Sequence, residues 1–303
     1  MHYAAGTIEC IDAIEAQLSA EEFRGYLKGN VAKSLKGCKI EFPFESVGAT
    51  ANTIMAAVLA KGTSELVNVA REPEIIDLCK CLKSMGCKIQ GEGERTILIE
   101  GVDSLRETTH KVIMDRIELG TFIIAGAISD SELKLTGGNI TLLENFVDKL
   151  YEVGIEVYQS EGSIRVRRMN SASIKCTNVL TEPFPGFPTD MQAQFMALNS
   201  ISHGSSIIEE TVFENRFQHV IELRKMGANI SLENNQAKII GVPNLVGSVV
   251  KASDLRASAS LVLAGLVGKN RTQIDDIFHI DRGYESVSYT HLRAHETKAN
   301  LVC

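Results

Sequence analysis

The chain has 303 residues, 44% of them hydrophobic and 23% charged, with no tryptophan, 6% aromatics and a formal net charge of −7. That length suits two domains, and that composition suits a globular core built mainly from Ala, Val, Ile and Leu. The acidic balance excludes a general nucleic-acid or anionic-membrane binder, so an anionic ligand must be held by a local cluster of basic side chains.

Taken in order, 11–18 reads as a helix and 26–31 as a strand, the tail of a repeating unit. The stretch from Val47 to Val102 then reads as a helix over 49–60, a turn at Lys61-Gly62, a strand over 64–69, a second helix over 73–85, and Gly86 leading into two strands. Apolar residues recur at three- and four-residue steps in the helices and alternate in the strands. The polar, unpatterned segment 103–111 marks a domain boundary. The same order returns from Asp115 to Val166, with Gly154 after the second helix, and from Asp190 to Ile240, with a His203-Gly204 turn and Gly227. Asp254 opens a fourth copy that reaches Tyr284. A glycine after each second helix is what a left-handed cap requires. Repeats of this size are βαβαββ units, which predict an α/β fold of α+β repeats with internal pseudo-symmetry. From Ser286 onward the pattern is lost, and 286–303 is expected to be a non-native, adapter-like tail.

The seven cysteines form no CxxC pair and no zinc spacing, which reads as reduced thiols in a cytoplasmic protein. The start lacks the signature of a signal peptide, and no apolar run approaches the roughly 20 residues of a membrane helix, so no membrane partner is expected. HExxH, Walker-type, Gly-x-Ser-x-Gly and dinucleotide-binding glycine motifs are absent, and no cofactor or metal is expected.

Alignment of the copies shows where chemistry is concentrated. First helices begin at Ser46-Val47-Gly48, Asp115-Arg116, Asp190 and Asp254-Leu255-Arg256, and second helices near Arg71, Gly138, Arg216 and Arg282. An Asp at a helix start is expected as a cap on structural grounds alone. An arginine there opposes the dipole unless an anion or a carboxylate compensates it. Arg71, Arg216, Arg256 and Arg282 together could therefore face one anion, or each could pair with a nearby acid such as Glu72, Glu214 or Asp281. Asp190 carries the same ambiguity between cap and general base. It follows the stiff apolar loop Pro183-Phe184-Pro185-Gly186-Phe187-Pro188-Thr189, and an apolar wall or a nearby arginine would shift its pKa.

Six segments carry a resemblance. Ser46–Thr50, Ala70–Ile75, Phe187–Gln194, Val212–Phe217, Asp254–Leu261 and His279–Glu285 resemble, in order, the UDP-N-acetylglucosamine 1-carboxyvinyltransferase branch of the enolpyruvyl transferase family. The resemblance implies a two-domain inside-out α/β barrel, incomplete here, with 1–110 as a remnant of the first domain and 111–285 as the second. It implies transfer of the enolpyruvyl group of phosphoenolpyruvate to the 3′-hydroxyl of UDP-N-acetylglucosamine, a step in peptidoglycan synthesis, by addition and then elimination of phosphate. Asp190 would take the hydroxyl proton, and Arg216, Arg256 and Arg282 would hold carboxylate and phosphate. Ser46, Val47, Gly48 and Val212 would contact the UDP-sugar, with Arg71 and Arg116 in support. The family's Lys-Asn pair and its loop with a reactive cysteine have no counterpart in the chain, which is therefore expected to be inactive by itself. Two other readings stay open: a non-catalytic nucleotide-sugar-binding module, and the same transfer to shikimate 3-phosphate.

Overall fold

The computed structural model of the chain describes residues 34–169, 173–281 and 283–284, with the backbone alone of Glu21–Phe23, Tyr26–Lys28 and Leu301–Val302. The helix expected over 11–18 lies outside the described residues, as does the tail 286–303 apart from that last pair. The chain divides into two compact units, Met1–Ile113 and Met114–Cys303.

In the first unit, β1 (Glu21–Phe23) and β2 (Tyr26–Lys28) pair antiparallel. One complete copy follows: β3 (Lys39–Glu41), α1 (Val47–Ala57), β4 (Thr63–Val67), α2 (Pro73–Ser84), β5 (Lys88–Gln90) and β6 (Thr96–Glu100). Its sheet runs β3-β4-β6-β5. The β3/β4 pair is parallel and therefore needs the α1 crossover, while the β4/β6 and β5/β6 pairs are antiparallel. Leu66 pairs with Ile40 on one side and Ile97 on the other, which places all three on the inner face. They pack with Ile54, Ile75 and Cys79 in a core belonging to this unit.

The second unit repeats the scheme. α3 (Arg116–Ile128), β7 (Leu133–Thr136), α4 (Glu144–Val153), β8 (Ile155–Ser160) and β9 (Ser163–Arg168) form a three-stranded sheet in the order β7-β9-β8. β10 (Val179–Leu180), α5 (Gln192–Ser200), β11 (Ser205–Glu209), α6 (His219–Lys225), β12 (Asn229–Glu233) and β13 (Gln236–Ile240) restore the four-stranded order β10-β11-β13-β12, again with its first pair parallel. β14 (Val249–Lys251), α7 (Leu255–Val267), β15 (Gln273–Asp275) and α8 (Phe278–Asp281) begin another copy. β14 lies parallel to β15, and β16 (Leu301–Val302) pairs antiparallel with β15. The glycines that stop the three second helices have φ of +103° (Gly86), +100° (Gly154) and +88° (Gly227), the left-handed region expected of them.

The two helices of each copy play different parts. Every residue of α5 is buried, as are Ala257–Gly265 of α7 and most of α3. Helices enclosed on all sides carry small and apolar residues, and their buried hydroxyls satisfy themselves on the preceding turn. Thr121 thus donates to the Ile117 carbonyl at 2.9 Å, Ser200 to that of Met196 at 2.8 Å and Ser260 to that of Ala257 at 2.7 Å. The second helices are amphipathic: α4 buries Phe146, Leu150 and Val153 and leaves its other face to solvent. Among the described residues no helix is long and apolar enough to cross a membrane.

α2 begins at Pro73 and α6 at His219, so Arg71 and Arg216 stand two and three residues ahead of their helices rather than inside the first turn. Proline fixes the helix start in the first case, because its ring suits the first helical position. The dipole conflict expected from the sequence is correspondingly smaller at both positions, whereas Arg256 does occupy a first turn, that of α7, as Arg116 does that of α3.

Candidate active site

The loop before Asp190 is fixed by an aromatic anchor. Phe187 is buried between Phe146 and Phe195, with ring centroids 5.9 and 5.4 Å away and the latter pair edge to face. Its carbonyl accepts from the Glu182 amide at 3.0 Å, and the Pro183 carbonyl accepts from Gly186 at 2.8 Å, which closes the loop on itself. The Asn145 side-chain amide donates to the Pro185 carbonyl. Thr189–Met191 then form a single 3-10 turn, and α5 starts only at Gln192.

That half-turn separates Asp190 from the other acids at helix starts. Asp115 accepts from the amides of Ile117 and Glu118 at 2.7 and 3.1 Å, and Asp254 accepts from those of Arg256 and Ala257 at 2.8 and 2.9 Å. Both are caps. Ser46 does the same for α1, accepting from Ala49 at 3.3 Å. Asp190 instead turns its Oδ1 to two guanidinium groups, accepting from Arg216 Nη2 at 2.6 Å and from Arg256 Nε at 3.2 Å. Its side chain keeps 35% of its surface exposed, against 22% for Arg216 and 20% for Arg256. Enclosure by protein pushes its carboxyl up, but the charges of Arg256 and Arg216 and their hydrogen bonds outweigh that and hold it below its usual value.

Behind this pair lies a residue the sequence did not single out. Glu210, 3% exposed, follows β11 and receives four hydrogen bonds. Oε1 accepts from Thr181 Oγ1 at 2.9 Å and from the amides of Val212 and Phe213 at 2.9 and 3.0 Å, and Oε2 accepts from Thr189 Oγ1 at 2.7 Å. Thr189 Oγ1 in turn accepts from Arg216 Nη1 at 2.8 Å, and the Arg216 guanidinium lies 4.6 Å over the Phe213 ring. A glutamate at a strand end reads as surface in sequence. The available signal was the third copy's longer run between strand and second helix, 210–218, where the first copy has 68–72.

Asp190, Arg216 and Arg256 are thus brought together, and Val212 is tied to them through Glu210 with its own side chain 36% exposed. Arg116 is buried at the start of α3 and lies 5.9 Å over the Phe184 ring of the proline-rich loop. Arg282 lies outside the described residues. Ser46, Val47, Gly48 and Arg71 belong to the first unit. Val47 and Gly48 open α1 behind the Ser46 cap. Arg71 Nη2 lies 3.6 Å from Glu45, the neighbour of Ser46, and the Ala70 amide donates to Thr50 at 3.0 Å, so these residues share one end of α1. Among the described residues no group of three His, Cys, Asp or Glu side chains is placed to hold a metal ion. The site offers two guanidinium groups for an anion and one carboxylate to accept a proton.

Residues 7–289 match the model of the EPSP synthase (3-phosphoshikimate 1-carboxyvinyltransferase) family. The chain belongs to this enolpyruvyl transferase family. It is 50% identical over 280 residues to the UDP-N-acetylglucosamine 1-carboxyvinyltransferase of Ruegeria pomeroyi, covering 92% of this chain and 66% of that relative. It is 49% identical over 277 residues to the protein of the same name from Gluconacetobacter diazotrophicus, covering 91% of this chain and 65% of the relative. The chain therefore spans about two thirds of the length of these relatives. In fold it is similar to the enolpyruvyl transferase NikO from Streptomyces tendae, with a TM-score of 0.83 at 23% identity over 92% of this chain and 68% of that one. It is also similar to an EPSP synthase from Acinetobacter baumannii, with a TM-score of 0.72 at 17% identity over 98% and 71%. The α/β repeat read from the sequence is thus an enolpyruvyl transferase fold.

Proposed function

We propose that this chain carries the proton-accepting part of a site that moves the enolpyruvyl group of phosphoenolpyruvate to the 3′-hydroxyl of UDP-N-acetylglucosamine, in peptidoglycan synthesis. The observation that carries the reading is the departure of Asp190 from its repeat: the equivalent acids cap helices, and this one faces two arginines. The acceptor sugar is favoured by the names of relatives at 50% and 49% identity. Such a protein works in the cytoplasm, on small-molecule substrates and without a cofactor.

While Arg216 and Arg256 both hold Asp190, their two positive charges against its one negative charge leave the carboxylate a weak base. A ligand bearing carboxylate and phosphate offers Arg216 and Arg256 better partners, because a guanidinium fork binds such groups in two-point fashion. As they turn to the ligand, Asp190 loses its counter-ions, and its proton affinity rises when a hydroxyl is to be deprotonated. The sugar oxygen then bonds to C2 of the enolpyruvyl group while its proton passes to Asp190. The methylene carbon takes a proton from a general acid other than Asp190, giving a tetrahedral adduct. Return of a methyl proton to the conjugate base of that acid and cleavage of the bond between C2 and the phosphate oxygen expel phosphate and restore the double bond. The arginines stabilise the charge carried by the departing phosphate. Arg282, Arg116 and Arg71 are assigned to the same work, the first to anion binding and the others to support, and Ser46, Val47, Gly48 and Val212 to the UDP-sugar.

Calorimetric titration of the chain with phosphoenolpyruvate tests the anion site. Arg216→Ala and Arg256→Ala should each weaken binding about tenfold or more, the loss of a charge-assisted contact. In the full-length protein from the same gene, Asp190→Asn should keep phosphoenolpyruvate binding and lose phosphate release. Faster release with shikimate 3-phosphate than with UDP-N-acetylglucosamine would overturn the choice of acceptor.

A further inference from the structure

We propose that Glu210 is the positioning residue of this site, fixing the Arg216 guanidinium from two sides at once, through Thr189 and through the Val212–Phe213 turn. The inference rests on the reading of Asp190 and Arg216 given above and assigns Glu210 no contact with substrate.

Its chemistry is set by hydrogen-bond direction. All four groups that reach Glu210 are donors: the hydroxyls of Thr181 and Thr189 and the amides of Val212 and Phe213. A buried carboxylate is the side chain that accepts at every position, whereas a glutamine must present an N–H₂ to one of them. Thr189 has one hydroxyl proton. Giving it to Glu210 leaves only lone pairs for Arg216 Nη1, which lies 2.8 Å away. On the other side, the bond from the Phe213 amide holds the ring that lies under the guanidinium. With one edge on Thr189 and one face on Phe213, the remaining edge has a single orientation, with Nη2 aimed at Asp190.

The same arrangement keeps the two acids from competing. Among the described residues no ion pair joins Glu210 to Arg216, since the Thr189 hydroxyl stands between them. The charge of Glu210 is taken up by neutral donors, so the charge of Arg216 stays available to Asp190 or to an incoming anion. Thr181 closes the back of the network: its hydroxyl accepts from the Thr211 amide at 3.0 Å, and the Thr211 hydroxyl donates to the Thr181 carbonyl at 2.6 Å. The turn is anchored to β10 without help from the site.

Glu210→Gln, Thr189→Val and Thr189→Ser separate positioning from plain structural support. Two quantities are measured in the chain: affinity for phosphoenolpyruvate by calorimetry, and the titration of the Asp190 carboxyl by carbon-detected NMR. Glu210→Gln should weaken phosphoenolpyruvate binding about tenfold, Thr189→Val somewhat less, and Thr189→Ser should restore it. In the first two variants the Asp190 carboxyl should titrate at higher pH than in the parent, because Arg216 no longer points at it. A lower melting temperature in Glu210→Gln, with affinity and Asp190 titration both unchanged, would overturn the inference and reduce Glu210 to a turn anchor. If the unmodified chain fails to bind phosphoenolpyruvate, the functional reading fails, and the Asp190 titration alone decides the role of Glu210. Should Glu210→Gln not fold, Thr189→Val decides it, since that change removes one limb and leaves the turn intact.

Discussion

Lowering the pH from 7.5 to 4.5 should destabilise the second unit through one residue, His219. It is the first residue of α6 and is 2% exposed, and its Nε2 has no hydrogen-bond partner among the described residues. Burial, opposed by the charge of Asp254 and assisted by that of Arg216, pushes its pKa down from 6.5 to about 4. Above pH 6.5 the ring is neutral folded and unfolded, and the linkage costs nothing. As pH falls from 6.5 to 4 the unfolded chain takes up a proton that the folded chain refuses, and below 4 the penalty levels off. The depression of the pKa corresponds to about 3 kcal/mol, a large share of the roughly 5–15 kcal/mol that holds a typical domain together. The loss attached to Asp190, whose pKa is also depressed, sets in around the ordinary carboxylate value of 3.8 and grows below it, so most of the His219 window lies above it. Urea unfolding followed at pH 7.5, 6.5, 5.5 and 4.5 measures the slope, with His219→Gln as the control that cannot titrate. Parallel curves for the two proteins between pH 6.5 and 4.5, or an imidazole resonance of His219 titrating near 6.5, would refute the reasoning.

Phe187→Ala should cost about 3–5 kcal/mol, since it empties the space between Phe146 and Phe195. In a unit of this size that lowers the melting temperature by about 10 °C, and phosphoenolpyruvate affinity should fall with it because the loop no longer fixes Thr189 and Asp190. Gly241→Ala should also destabilise, by about 1–3 kcal/mol or more, as an added Cβ would lie 1.5 Å from the Ser202 carbonyl oxygen and the backbone must move. Thermal melts read both. Cys79 should resist alkylation at pH 8 in the folded chain, because burial, with the Glu92 charge, pushes its thiol up to about 11, and only unfolding should bring its labelling rate, followed by mass spectrometry, to that of Cys81.

Much of the fold was legible because it repeats. Left-handed glycines at 86, 154 and 227 and short alternating strands such as 96–100 are local signals, and a weak signal seen in several copies becomes a strong one. Helix starts were read less accurately, since the sequence puts Ser46 and Asp190 in the same register while the structure caps α1 with one and delays α5 by a 3-10 turn at the other. The candidate site was partly legible for a related reason. Asp190, Arg216 and Arg256 stand out through the charge they carry at helix starts. Glu210 and Thr189 do not, because their meaning lies in the direction of hydrogen bonds between segments 21 residues apart. Nothing in the spacing of one segment encodes that. The sequence also left open that the arginines pair with neighbouring acids, and for Arg216 the partner proved to be Asp190, 26 residues away.

The carboxylate of Asp190 comes from the third copy and the guanidinium of Arg256 from the fourth, 66 residues on. Each copy supplies its own sheet, so the architecture is modular while the candidate chemistry is not. Replacing the start of α7 by that of α1, Ser46-Val47-Gly48 for Asp254-Leu255-Arg256, would exchange one capped helix for another and spare the strands on either side. It would also remove one of the two cations on Asp190, in a chimera whose circular dichroism should give no warning of the loss.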